Sequence, residues 1–339
     1  MKKILASVSL IAAMLSSISA EARQLKMSLW FSESHFMTPE VFIPFAKDVA
    51  AGTNGELEIV LFGNSVLGKI SDQLMLVENG IADIAMVVPS YTAGRFPLTE
   101  SGSLPFAFDN ASHGGRVYRE LQPYVEEEFD TVKFLFMTVN TAAALLTSKR
   151  PIDTVEKIRG ARISGSGAAQ QQFLAGLGAV ADFMPISEKY VGLERGTIEG
   201  LLMPLASAPG YKMEEVTTFI SRINYSSTPL AAIMNLDTWD SLTPEQQRAV
   251  TEASDKAQKK LGPAYDAADE EGLKILLKHG GIIADFAPAE LEKLHAAAAP
   301  FWDKYLADLR KRTDKADEFI AALRVSIDRT RAVPAEPVR

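Results

Sequence analysis

Few residues in this chain are placed to do chemistry, and most of them stand at the ends of short apolar runs. Ser164-Gly165-Ser166-Gly167 has the small-residue setting of a nucleophile turn, and histidines occur at 35, 113, 279 and 295. A secreted serine hydrolase using Ser164 or Ser166 is therefore one reading. The stretch lacks the Gly-x-Ser-x-Gly pattern in which a strand-to-helix turn exposes such a serine. No Gly-rich phosphate loop, His-Glu-x-x-His or Cys-x-x-Cys is present, so no cofactor or metal is expected. A binding site is the other reading. Trp30, Phe31 and Glu33 with Tyr91 would form an aromatic face with one carboxylate, suited to a small ammonium compound.

The elements that must position these residues follow from periodicity. Leu25–Phe31, Leu57–Phe62 and Asp83–Val88 read as strands, and the apolar positions Phe42, Phe45, Ala46 and Val49 mark a helix between the first two. Ile70, Leu74, Val77 and Ile81 mark another helix, with Gly80 as its C-terminal cap. A second block follows Arg150-Pro151. Strand 161–164, helix 168–177, strand 179–184, helix 187–195 and strand 197–203 alternate there, with Ser187 as an N-cap and Gly196 as a stop. Alternation of this kind means an α/β fold with parallel-type sheets, whose ligands sit at the carboxyl ends of strands. Those ends are Phe31-Ser32-Glu33 and Val88-Pro89-Ser90-Tyr91.

Thr243-Pro244-Glu245-Gln246 is a capping box with proline at the first helical position, opening a helical stretch to His279. Gly262-Pro263 predicts a kink or break within it. A strand over 281–284 and a helix over 288–309 complete the pattern.

The chain has 339 residues, enough for two domains. Lys2 and Lys3, the apolar run 4–18 and Ala20-Glu21-Ala22 read as a secretory signal peptide over residues 1–22. Its loss moves the formal charge from −8 to −9, because two lysines and one glutamate leave together. An acidic chain of this kind is a poor ligand for nucleic acid or anionic membranes. Without cysteine there is neither a disulfide nor a lipid-anchoring thiol.

One ordered series of motifs runs through nearly the whole mature chain. It comprises FAKDV (45–49), NSVLG (64–68), GIADIA (80–85), GRFPLTE (94–100), LPFAF (104–108), RPIDTVEKIRGARI (150–163), SEKYVGLERGTIEG (187–200) and TWDSLTPEQQ (238–247). The series resembles the DctP-type solute-binding proteins of TRAP (tripartite ATP-independent periplasmic) transporters. The resemblance implies a two-domain clamp like a periplasmic binding protein, with a hinge and a long helix running along both domains. It implies a monomeric, non-enzymatic periplasmic receptor that delivers one small solute to the small and large integral membrane subunits. The expected division is 23–142 plus about 230–268, and 143–229 plus about 269–325, with 326–339 as a disordered tail.

The same resemblance places a carboxylate-gripping arginine of the family at Ser164, and a second arginine, used by sialic-acid-type members, at Ala144. An asparagine position falls at Met203, a stacking aromatic at Ile186 and a histidine-type position near Tyr225. Arg162 falls at a lysine position whose side chain points away from the site on the alternating strand. The expected ligand-binding set is thus Phe31, Glu33, Ser90, Tyr91, Asn140, Ser164, Ile186, Met203, Tyr225 and Asn235. Family habit points to an organic acid, yet loss of the arginine leaves a carboxylate without its partner. Lys69 and Arg95 are candidate replacements, and a neutral or amine-bearing solute is the alternative.

Overall fold

The computed structural model describes residues 22–165 and 168–331. The expected signal peptide, Ser166 and all of the expected tail after Arg331 fall outside the described residues.

Two sheets organise the chain. The first has the order β2 (Leu57–Phe62), β1 (Arg23–Ser28), β3 (Ile84–Val87), β10 (Pro229–Met234) and β4 (Lys133–Val139). The second has the order β11 (Ile282–Ile283), β9 (Phe219–Ser221), β5 (Ala144–Thr147), β8 (Gly200–Met203), β6 (Arg162–Gly165) and β7 (Val180–Phe183). The sequence predicts parallel sheets, and both prove to be mixed. β10 is antiparallel to both of its neighbours, and so is β5. These two strands belong to the passages between the sheets, so their direction is set by where the chain crosses and not by a helical return.

Buried apolar side chains cover both faces of the first sheet. One face packs on α2 (Gln73–Glu78), α3 (Ala111–Val125) and α10 (Ala316–Arg331), the other on α1 (Ile43–Gly52) and α8 (Pro244–Lys278). The second sheet lies between α5 (Ala168–Gly176) with α9 (Pro288–Leu309) and, opposite, α6 (Ile186–Arg195). The structure includes two further short helices, α4 (Val155–Ile158) and α7 (Leu236–Asp240).

Residues 140–143 and 222–228 are the two crossings, and they hydrogen-bond to each other. Asn140 N donates to Thr228 O at 3.1 Å, Ala143 N to Ser226 O at 3.0 Å and Tyr225 N to Ala143 O at 3.1 Å. The Asn140 carboxamide adds an acceptor for Thr228 N at 2.7 Å. The result is a two-stranded hinge between two α/β lobes, the clamp expected from the sequence.

The capping box at Thr243 and Gln246 forms as predicted. The predicted break at Gly262-Pro263 does not, and α8 runs unbroken through Pro263. Gly262 lets the helix backbone lie against Ala111 and Ser112, where a Cβ would meet Ser112 Cα at 2.7 Å. One turn on, the Asp266 carboxylate accepts the amides of Ala111 at 2.8 Å and Ser112 at 3.1 Å. Docking on the start of α3 thus supports the helix where proline removes a backbone donor.

Ser187 is not the N-cap, because α6 begins at Ile186 with Pro185 in the capping position. Gly196 closes it in the left-handed conformation, φ 70°, as predicted.

α10 extends to Arg331, so residues 326–331 are helical and not a tail. Its Phe319, Leu323 and Ile327 share a core with Val117 and Leu121 of α3, which returns the chain to the first lobe. α9 bridges the lobes: Leu294 and Ala298 enter the second-lobe core, while Trp302 Nε1 donates to Pro105 O at 2.9 Å on the first.

Candidate functional site

Between the lobes, in front of the hinge, lies a cavity of about 90 Å³. The first lobe supplies Trp30, His35 and Met37 after β1, Ile70 after β2, Val88 and Tyr91 after β3, and Leu230 of β10; α8 adds Tyr265. The second lobe supplies Ile186 at the start of α6, Met203 and Pro204 after β8, Ser207 and Tyr211. Asn140 and Thr228 of the hinge close the back. The carboxyl ends of strands thus furnish much of the wall, as the α/β rule requires.

Among the described residues of this wall, His35 is the only titratable nitrogen. It packs between Phe31 and Phe36, with ring centroids 4.6 and 4.7 Å away, and burial lowers its pKa to about 4. It is therefore neutral at ordinary pH. Burial also raises Tyr91, and burial with the neighbouring Tyr91 pushes Tyr211 up to about 12 while Trp30 opposes the shift. Tyr265 donates to Met37 Sδ at 3.3 Å. None of the described side chains lining the cavity carries a formal charge near neutral pH. Across the mouth, the half-exposed Phe183 of β7 meets Tyr91 edge-on at 6.2 Å, an aromatic contact between lobes.

Of the residues singled out in the sequence, Trp30, His35, Tyr91, Asn140, Ile186 and Met203 come together here. Ser90 and Tyr225 line a second cavity behind the hinge. Phe31 is buried beneath His35 and stacks on Phe42, while Glu33 is exposed in the following turn. Asn235 caps α7, accepting from Thr238 N at 2.8 Å and donating to Val77 O at 2.8 Å. Ser164 is wholly buried on β6 beside Leu201 of β8, outside the lining of both cavities. Arg162 is exposed and binds Gly196 O, pointing away as expected.

The two replacement cations do not reach the cavity wall. Arg95 pairs with Glu78 at 2.8 Å and bonds Thr131 at 2.5 Å. Lys69 is exposed, and only its neighbour Ile70 lines the wall. Sequence reasoning missed Lys189, a fully buried lysine one turn past Ile186. Its Nζ lies 3.5 Å from the carbonyl of Leu202, the residue before Met203, and burial lowers its pKa to about 7. A lysine on the inward face of an amphipathic helix was the available signal.

A hydrolase has no support here. Among the described residues, Ser164 Oγ has a hydrogen bond to its neighbour Gly165 O, at 3.5 Å, and none to a histidine. The histidines are engaged elsewhere: His113 with Ile327 O, His279 with Ile275 O, His295 stacked on Phe106 and His35 as described. Among the described residues no group of three or more His, Cys, Asp or Glu could hold a metal ion. Nor is any described helix long and apolar enough to cross a membrane.

The model of the family described as bacterial extracellular solute-binding protein, family 7 (DctP), matches residues 28–308. The 2,3-diketo-L-gulonate-binding periplasmic protein of Escherichia coli is 28% identical over 239 residues, covering 68% of this chain and 71% of its own. A TRAP solute-binding protein from Rhodoferax ferrireducens, solved with copurified benzoate, superposes with a TM-score of 0.86 at 22% identity, over 92% of this chain and 99% of that one. DctP7 of Bordetella pertussis, an extracytoplasmic receptor binding pyroglutamic acid, gives 0.81 at 21% identity, over 89% and 100%.

Proposed function

Because this chain belongs to the bacterial extracellular solute-binding proteins of family 7, the solute receptors of TRAP transporters, we propose that its front cavity captures a small uncharged solute with an apolar or aromatic body. The observation that carries this reading is the lining. Aromatic and aliphatic side chains form most of it, and its polar groups (Asn140, Ser207, Thr228, the tyrosine hydroxyls and neutral His35) offer hydrogen bonds without charge. A carboxylate enclosed there would lose its hydration without gaining a cation. An ammonium would find aromatic faces but no carboxylate, since Glu33 lies in the exposed turn.

The solute contacts both lobes, so binding favours the closed clamp by the contacts that exist only when it is shut. The receptor acts as a monomer in the periplasm, binds without catalysis and hands its solute to the integral membrane subunits of the transporter. The apolar run at 4–18 supports export, and the charge-free cavity with a serine lacking a base supports binding over catalysis.

Calorimetry with benzoate, benzamide, benzyl alcohol and benzylamine tests the charge preference on one skeleton. The amide or alcohol should bind at least about tenfold more tightly than the acid, a difference of about 1.4 kcal/mol. Preference for the acid would overturn the reading.

Lys189 favours a second reading, a monocarboxylate held from behind Met203 once the wall opens around the solute. On this reading Lys189→Met weakens benzoate and spares benzamide.

A further inference from the structure

Behind the hinge lies another interlobe cavity, about 290 Å³ and so larger than the front one. Neighbouring residues divide it from the front one. Ser90 opens to the rear and Tyr91 to the front; Ser227 opens to the rear and Thr228 to the front. The wall includes Tyr225 and Ser227, which are 0% and 3% exposed and whose hydroxyls are buried within it. Neither hydroxyl has a hydrogen-bond partner among the described residues. Tyr225 is fixed by stacking on Phe173 at 4.0 Å, so its hydroxyl cannot swing away to find one. Buried hydroxyls are normally satisfied, and two on one cavity wall indicate a polar occupant.

The outer wall carries charge of both signs. Glu100 of the first lobe faces Lys304 and Asp308, one turn apart on α9, and Arg312 just beyond its end. Lys304 reaches across to Gln172 of α5 at 3.3 Å, so the lining joins both lobes. Burial raises the pKa of Glu100, and the field of Arg312 works against that shift. A ligand with a single charge would meet a like-charged wall residue for every partner it gained. A ligand carrying both charges can satisfy both sets.

We propose that the rear cavity is a second ligand site, taking a small zwitterion of the free amino acid class. Its ammonium would be held by Glu100 and the oxygens of Tyr225 and Ser227, and its carboxylate by Arg312 and Lys304. The site is independent of what the front cavity binds.

Calorimetry on the mature protein tests this with L-serine, L-proline and L-phenylalanine, each beside its amide and its N-acetyl form. At least one zwitterion should bind about tenfold more tightly than its singly charged derivatives. That binding should weaken about tenfold in Glu100→Gln and in Arg312→Gln, and be unchanged in Ile186→Trp, which fills the front cavity. Arg312 lies on the exposed rim, so its variant gives a reading even if Glu100→Gln folds poorly. The proposal is overturned if no zwitterion binds, if the derivatives bind as well, or if binding disappears in Ile186→Trp and survives in the two rear variants.

Discussion

Asp269, in the second half of α8, accepts a 2.6 Å hydrogen bond from the hydroxyl of Thr141 in the first hinge segment. The same carboxylate oxygen accepts Ala206 N at 3.0 Å, so one side chain ties the long helix to the hinge and to the second lobe. Burial raises its pKa and these hydrogen bonds oppose the shift. Asp269→Ala leaves a buried amide and hydroxyl unmet and should cost about 2 kcal/mol of unfolding free energy in urea. Asp269→Asn keeps an acceptor oxygen and should cost less. Equal losses would mean that the acceptor is unimportant.

Gly272, one turn further along α8, is pressed against Leu205, and a Cβ there would stand 2.0 Å from Leu205 O. The helix and the segment after β8 must separate to admit it. Gly272→Ala should lower stability by about 1–3 kcal/mol despite its better helix propensity. The exposed neighbour Glu271→Ala serves as the control and should change little. Thermal melts of the two variants make the comparison.

Glu128 accepts Leu98 N at 2.5 Å and Thr99 N at 2.8 Å, yet burial raises its pKa to about 7. The folded value lies above the unfolded one, so its contribution is present below about pH 4.5 and is lost as pH rises through 7. Relative to Glu128→Gln, the wild type should therefore lose stability between pH 4.5 and 7, by about 1–2 kcal/mol after solvent screening. Parallel stability–pH curves for the two proteins would refute the assignment.

Ser164 is fully buried, so Ser164→Arg must displace packed neighbours and should cost about 1–3 kcal/mol. Because Ser164 lies outside the lining of the front cavity, the variant should keep the preference for benzamide over benzoate. Calorimetry on the folded fraction checks this, and a shift toward benzoate would show that position 164 reaches the solute.

Much of the fold was legible because its signals are local. Thr243 and Gln246 satisfy each other within one turn, and the apolar stripe of α1 needs only its own spacing to be read. Pro263 misled because the element that supports α8 as it continues past the proline is the start of α3, more than a hundred residues away in sequence. Ser187 misled because Pro185 admits the chain to α6 one residue early. The site was legible where strand ends face the cleft, as at Tyr91 and Met203. It was not legible where adjacent residues diverge: the single helical turn over Pro89–Tyr91 sends Tyr91 forward and Ser90 to the rear. Lys189 escaped notice because its burial is a property of the packed second lobe and not of its neighbours in the chain.

The position of β10 in the first sheet has a consequence for how the chain is made. That strand lies between β3 and β4, yet it follows both of them and most of the second lobe in sequence. As the chain emerges from its N-terminus, β3 and β4 have no central partner until residue 234 is available. Their facing edges stay unpaired, along with the apolar surface that Ala231 and Ile233 later cover. The first lobe therefore cannot complete its sheet as an early independent unit, and the strand edges and apolar surface that β10 covers stay open until most of the second lobe has been made.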